Sequence, residues 1–258
     1  MFGKLFGFRK KEHTNIPHAQ GATVREAFAF LETDMHSHLL PGIDDGAPTI
    51  EDSITLIKGM MDLGYKKLVT TPHVKSDIYP NTTAIIQTQL KQLRHAMKEH
   101  GLDIPIQAAA EYYVDDIFME LLEKEPLLPI QGKQILIEFS FLFEPVRLPE
   151  TIFRIETKGY TPILAHPERY AFYHHKYHVF AELKNRGCLL QLNTLSLTGY
   201  YGKPVKEMAE KLLYDGMYDY CGTDLHHDRH LVNLQKLINT KAYQQLRQYP
   251  FINKKITP

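Results

Sequence analysis

From Phe30 onward the chain repeats one order of elements, a short β-rich apolar run and then a stretch with helical period, and that order admits few folds. The apolar runs lie near residues 32–36 and over 67–71, 106–110, 135–139, 161–165, 189–193 and 217–222. Helical spacing occupies 50–63, 82–100, 114–122, 149–158, 178–185 and 204–214, with a C-terminal helix within 231–246. In the first of these, Ile50, Ile54, Ile57, Met60 and Met61 share one face on a 3.6-residue period. Gly64, Gly101, Gly159, Gly187 and Gly216 stand where five of the helices should stop. Such alternation implies parallel strands with helices outside them. Seven units argue for a closed or nearly closed barrel, with an open doubly wound sheet as the competing arrangement. The 258 residues suit one such domain, since a (β/α) barrel typically takes about 250.

Six segments at these strand ends carry metal-ligand side chains: Asp34-Met-His36-Ser-His38, Thr70-Thr-Pro-His73, Ala109-Ala-Glu111, Ile137-Glu138, Leu164-Ala-His166 and Gly222-Thr-Asp224-Leu-His226. In an extended strand, residues two apart face the same way, so His36 with His38 and Asp224 with His226 each offer two donors to one ion. A lone histidine at a strand end is usually a hydrogen-bonded surface residue. Several at the same end of the same fold are better explained by a shared site. The donors combine imidazole and carboxylate without thiolate, which suits Zn²⁺, Mn²⁺ or Fe²⁺. Eight or nine candidates exceed what one ion takes, so two or three ions are expected, with Glu111 suited to bridge a pair. Asp44 and Asp45, in the turn Pro41-Gly-Ile-Asp-Asp-Gly46, add a carboxylate that can swing back to the site or serve only the turn.

Composition excludes several alternatives. Thirty basic residues offset thirty acidic ones, so the whole chain carries no nucleic-acid footprint. No apolar run approaches the roughly 20 residues of a membrane helix. No G-x-G-x-x-G or P-loop motif follows a strand, which removes a dinucleotide or nucleotide reading. Cys188 and Cys221 are too few for a disulfide framework and read as buried free thiols of a reducing, cytoplasmic setting. Neither has an arginine six residues on, the positions being Thr194 and His227, so a thiolate phosphatase loop is absent. Residues 1–25 read as a basic, flexible lead-in, and 26–258 as the catalytic domain.

His36-Ser-His-Leu-Leu-Pro-Gly-Ile-Asp-Asp-Gly46 and Ala165-His-Pro-Glu-Arg-Tyr170, together with T-T-P-H, A-E-Y-Y, I-E-F and D-x-H, resemble the PHP (polymerase and histidinol phosphatase) family. More closely they resemble its bacterial tyrosine-protein phosphatases of capsular and exopolysaccharide operons, the CpsB/YwqE type, over roughly residues 34–226. The resemblance implies a single distorted (β/α)7 barrel with its metal site at the C-terminal mouth of the strands. It implies that His36, His38, Glu111 and Asp224 hold one ion, that Glu111 bridges to a second also contacted by His166, and that Asp45, His73 and His226 hold a third. Glu138, where other members place a histidine, is either a ligand or an anchor behind one. Mn²⁺ is the expected ion, with Fe²⁺ or Zn²⁺ as alternatives.

The implied reaction is hydrolysis of phosphotyrosine by a metal-bridging hydroxide, with Glu111 and Arg169 in catalytic roles. Arg169 would grip a phosphate oxygen through its fork of donors, and its bland alternative is a surface pair with Glu168. Arg229 is a weaker substrate-binding candidate. Tyr112, Tyr113, Phe139, Phe141, Phe143, Tyr170, Phe172 and Tyr173 follow strand ends and offer walls for an aryl ring, though many of them should simply pack the rim. The implied partner is a phosphotyrosine-containing protein, the tail of a bacterial tyrosine kinase, with an oligomer left open. The competing functions are a small-molecule phosphoesterase such as a histidinol-phosphate phosphatase, a C–N amidohydrolase, and a non-catalytic polymerase-associated module.

Overall fold

The computed structural model describes residues 24–124 and 126–257; most of the lead-in expected over 1–25 lies outside the described residues. Its elements follow the expected order: β1 (Thr33–Asp34), α1 (Ile50–Asp62), β2 (Lys67–Thr70), β3 (His73–Val74), α2 (Thr83–Glu99), β4 (Ile106–Ala108), β5 (Glu111–Tyr113), α3 (Asp116–Lys124) and β6 (Gln134–Glu138). Then come α4 (Leu148–Thr157), β7 (Thr161–Ala165), α5 (His178–Asn185), β8 (Leu189–Asn193), α6 (Lys203–Tyr214), β9 (Tyr220–Gly222), α7 (Asp228–Leu237) and α8 (Lys241–Gln248). Side chains cap the starts of several helices. Thr49 accepts from the Asp52 N–H ahead of α1, and Thr82 from the Ile85 N–H ahead of α2. The single C-terminal helix expected within 231–246 is two helices, because Thr240 leaves the first and caps α8 by accepting from the Tyr243 N–H.

All strand pairs are parallel, in a three-stranded sheet β1-β2-β4 and a six-stranded sheet β3-β5-β6-β7-β8-β9. The nine strands occupy seven tracks. β2 and β3 are halves of one track broken at Thr71-Pro72, where proline removes a ladder donor. β4 and β5 are halves of the next, broken at Ala109-Ala110. Hydrogen bonds from Ala109 N–H to the Thr70 carbonyl (2.9 Å) and from Glu111 N–H to the Pro72 carbonyl (3.1 Å) carry the pairing across the break.

Side-chain alternation divides the core in two. Ile135, Ile137, Leu164, Leu190 and Leu192 pack with Ile57, Leu93, Ile152 and Leu212 of the helices. Leu136, Ile163, Ala165 and Tyr220 form a smaller cluster with Met35, Val69 and Ala109. Successive residues of a strand face opposite ways, so burial of both faces explains the nearly continuous apolar runs.

β1 and β9 approach each other through a seam. Asp34 accepts from the Thr223 N–H (2.8 Å) and hydroxyl (3.0 Å). Asn253, wholly buried, donates to the Thr33 and Cys221 carbonyls and accepts from the Cys221 N–H. Beyond these side chains, Asp224 N–H donates to the His36 carbonyl (2.8 Å) and His38 N–H to the Leu225 carbonyl (2.9 Å), next to a parallel bridge between Ser37 and Leu225. The seam sets the His36–His38 segment against the Asp224–His226 segment. Among the described residues no helix is long and apolar enough to cross a membrane.

Candidate metal centre

The expected metal-ligand residues lie at or just beyond the C-terminal parts of their strand tracks, apart from Asp45, which comes from the turn ahead of α1, and the structure brings them together. Glu111 is the hub. Its Oε2 lies 3.2 Å from His36 Nε2, 3.5 Å from His38 Nε2 and 3.2 Å from His73 Nδ1, while its Oε1 lies 3.0 Å from His166 Nε2. Asp224 Oδ1 is 3.3 Å from His36 Nε2 and 3.4 Å from His38 Nε2. Asp45 Oδ1 meets His73 Nε2 at 3.4 Å and His226 Nε2 at 3.5 Å. Glu138 Oε1 lies 3.4 Å from His73 Nδ1. The donors fall into three groups whose ligand atoms lie within 4.8 Å of one another: His36, His38, Glu111 and Asp224; His38, Asp45, His73 and His226; His73, Glu111 and Glu138.

His166 Nε2 and Glu111 Oε1 form a hydrogen bond, but other contacts are close without one. Glu111 Oε2 and His73 Nδ1 are buried, 3.2 Å apart, and neither has a hydrogen-bond partner. His36 Nε2 and His38 Nε2 face each other at 3.3 Å. Buried polar atoms are rarely left unsatisfied, and lone pairs aimed at shared points are what a cation needs. The charges agree. Although burial opposes ionisation of Glu111, the nearby His36, His73 and His166 rings hold its carboxyl well below the usual range. Burial, and then the Glu111 charge, push Glu138 well above it. Burial and Arg169 lower His166 to about 4, leaving a neutral imidazole, the form that binds metal. The donor set fits divalent cations.

Further residues aim the rings. Asp44 Oδ2 accepts from His38 Nδ1 (2.8 Å) and from the His73 N–H (3.1 Å), and Asp44 Oδ1 accepts from the Gly46 N–H (3.0 Å). Gln191 Oε1 pairs with His36 Nδ1 at 3.0 Å, and the Asp224 carbonyl with His226 Nδ1 at 2.8 Å. Each pairing engages Nδ1 and leaves Nε2 facing the donor cluster. Asp44 thus lies behind His38, while Asp45 stands among the potential ligands. Glycine is required at two neighbours of the rings. A Cβ on Gly46 would stand 2.2 Å from the His38 carbonyl oxygen, and one on Gly222 2.6 Å from the His36 Cβ. Removing the carboxylate with Asp44→Ala frees the His38 ring, and metal affinity should fall about 10- to 100-fold, as read by metal titration of the purified protein.

Arg169 and Asp224 form a second tier. Arg169 Nη1 donates to Asp224 Oδ2 (2.9 Å), and the guanidinium carbon lies 4.4 Å from the Phe141 ring centroid and 4.2 Å from that of Tyr201. Asn193 Nδ2 donates to the same Asp224 oxygen at 2.8 Å. His166 and Asp224 hold left-handed backbone at φ 36° and 51°, a conformation that costs non-glycine residues about 1–3 kcal/mol each. A cavity of about 390 Å³ opens over this tier, walled by Lys75, Ile78, Tyr79, Phe141 and Tyr201 beside the metal-ligand candidates.

The alternative for Arg169, a surface pair with Glu168, does not form, because Glu168 is fully buried and accepts from Asn193 N–H, Ser196 and Tyr218. Other expectations fail. Tyr112 does not reach the cavity. Strand alternation turns it away from the face that Glu111 uses, so it packs on Phe118 and its hydroxyl accepts from the Leu128 N–H. Arg229 is exposed in the first turn of α7 and lies outside the cavity lining. Of the eight aromatics expected at strand ends, Phe141 alone lines it. Gln191, Asn193, Tyr201, Tyr79 and Lys75 were missed. Gln191 and Asn193 had a visible signal, two polar side chains at i, i+2 in an otherwise apolar strand.

A family model described as capsular polysaccharide synthesis, CpsB/CapC, matches residues 32–247. The chain is 28% identical over 194 residues to tyrosine-protein phosphatase YwqE of Bacillus subtilis, covering 75% of this chain and 76% of that one. It is 26% identical over 222 residues to the putative tyrosine-protein phosphatase CapC of Staphylococcus aureus, covering 84% and 87%. A solved structure described among those of YwqE from Bacillus subtilis and CpsB from Streptococcus pneumoniae, unique metal-dependent tyrosine phosphatases, superposes with a TM-score of 0.74 at 25% identity, covering 87% of this chain and 93% of that one.

Proposed function

The chain belongs to the CpsB/CapC family of capsular polysaccharide synthesis, and from that premise we propose that it is a metal-dependent protein-tyrosine phosphatase. The observation that carries the reading is the convergence of eight imidazole and carboxylate side chains around Glu111, with Arg169 held beside them at the cavity wall. We read the fold as a single distorted (β/α)7 barrel over residues 26–258, the β1–β9 seam closing its seven tracks. His36, His38, Glu111 and Asp224 would hold one ion. Glu111 would share a second with Glu138 and His166, and Asp45, His73 and His226 would take a third. Mn²⁺ is the expected metal, with Fe²⁺ or Zn²⁺ as alternatives.

Bound ions supply a water acidified toward neutrality for in-line attack on phosphorus, and charge to offset the phosphate. The chain's own residues do the rest. Arg169 is fixed by Asp224 and by two aromatic faces, so its remaining donors are oriented before substrate arrives. A phenolate leaving group has a parent pKa near 10 and departs with less protonic help than an alkoxide. Phe141, Tyr201 and Tyr79 give an aryl ring apolar surface in the cavity. The substrate would be a phosphotyrosine-bearing protein, such as the tail of a bacterial tyrosine kinase governing polysaccharide export. A cytoplasmic setting is consistent with Cys188 and Cys221, which are free and buried.

The test compares Mn²⁺-loaded protein on a phosphotyrosyl peptide and on histidinol phosphate. Hydrolysis of the peptide with kcat/KM at least about tenfold higher is expected. Activity on histidinol phosphate alone would replace this reading with a small-molecule phosphoesterase.

A further inference from the structure

The β6–α4 connection departs from what a surface loop should be. Leu142, Phe143 and Val146 are 80%, 74% and 97% exposed, which concentrates large apolar side chains in one short segment. Water opposes such exposure, and contiguous apolar surface of this kind marks a contact site. The segment is held in place: the Ser140 hydroxyl accepts from the Leu142 N–H (3.1 Å) and the Phe143 N–H (3.3 Å), and Glu144 pairs with Lys176 at 2.5 Å. Its backbone is anchored while its apolar side chains point outward.

The two ends of the segment fix what it contacts. At one end Phe141 lines the metal-centre cavity, lies against Arg169 and stacks on Tyr170 with centroids 5.5 Å apart. At the other, Pro145 and Val146 line a second cavity of about 350 Å³, which also takes in Val114 and Met119 and is bordered by Arg147 and Arg154. The exposed apolar run of Leu142, Phe143 and Val146 therefore links the phosphate site to a cleft of mixed character beside α3 and α4, where Asp115, Asp116 and Glu150 also lie.

We propose that this apolar run binds the extended polypeptide adjoining the phosphotyrosine, selecting substrates with apolar side chains next to the phosphorylated residue. The inference rests on the phosphatase reading above and adds the substrate's sequence preference. Continuity with the cavity favours this occupant over a second copy of the chain. Phe141 lines the cavity and Leu142 and Phe143 follow it directly in the chain, so residues next to an aryl ring seated against Phe141 would pass close to them.

The experiment uses the full chain loaded with Mn²⁺, wild type and two variants, Leu142→Ser/Phe143→Ser and Val146→Ser. Substrates are a phosphotyrosyl peptide with leucine and isoleucine flanks, the same peptide with glycine and serine flanks, and p-nitrophenyl phosphate. Wild type should favour the apolar peptide by about tenfold in kcat/KM, through KM. The double variant should lose that preference, judged against p-nitrophenyl phosphate, and Val146→Ser should lose part of it. Equal rates on both peptides, or a preference that survives in the double variant, overturn the proposal alone. A change in sedimentation behaviour between wild type and the double variant, with the preference intact, overturns it in favour of an interface between copies. Hydrolysis of neither peptide by wild type overturns the phosphatase reading and this proposal together.

Discussion

Glu111→Gln is expected to lower turnover more than about a thousandfold and to leave at most one bound metal ion per chain. The substitution keeps the shape of the side chain and removes its charge. Glu111 belongs to two of the three donor groups, and a single oxygen, Oε2, faces His36, His38 and His73. An ionised carboxylate presents several lone-pair directions on two oxygens and can serve two cations, whereas an amide offers one oxygen and two N–H donors. The group of His38, Asp45, His73 and His226 contains no atom of Glu111, so it is the one expected to keep metal. In the proposed centre, loss of the Glu111 bridge would remove the pair of ions that acidifies the attacking water. Metal analysis and phosphotyrosyl-peptide hydrolysis on the same sample check both halves, with a circular dichroism melt to confirm folding. Wild-type metal content with wild-type turnover would remove Glu111 from the centre.

Side-chain periodicity is why so much of the donor cluster is legible in the sequence. A strand shows its facing in the sequence, so His36 and His38 announce shared donors by spacing; Asp224 and His226 have the same spacing, but Asp224 turns left-handed beyond β9 and the two fall in different donor groups. The same rule sets Tyr112 away from the donors: if Glu111 faces them, its neighbour faces the helices, where it packs on Phe118. The rule also marks Gln191 and Asn193, whose polarity in an apolar strand matches inward positions.

Other features depend on contacts between residues far apart in the chain, which local pattern does not encode. Nothing near Asp44 indicates that its carboxylate would hold His38 while Asp45 turned to His73 and His226. The local pairing of Glu168 with Arg169 was offered by adjacency, yet tertiary contacts send one into the core and the other onto Asp224. The fold shows the same division. Alternating runs and stop residues placed the helices within a residue or two, except at α7 and α8, where a cap at Thr240 divides the expected helix. The breaks at Thr71-Pro72 and Ala109-Ala110, which pass the strands from one sheet to the other, had only the proline as a clue.

Arg169→Ala is expected to keep the metal content and lose about 10²- to 10³-fold in turnover, the usual loss when one preorganised donor to a charged transition state is removed. Metal retention follows from how Asp224 is held. Its Oδ1 faces His36 and His38, and its Oδ2 keeps the hydrogen bond from Asn193 when Arg169 is gone. The catalytic loss follows from the fork. One arm of the guanidinium is committed to Asp224, its plane is held between Phe141 and Tyr201, and the donors that remain lie at the cavity wall. Arg169→Lys separates charge from geometry. A lysine restores a positive point charge but neither the planar fork nor the same fit between two rings, so it should recover only a minor part of the lost rate. Comparing kcat and KM for both variants on one phosphotyrosyl peptide, at saturating Mn²⁺, decides the matter. Recovery to wild-type turnover by lysine would mean that charge alone is required there, and full turnover in the alanine variant would mean that Arg169 only supports Asp224.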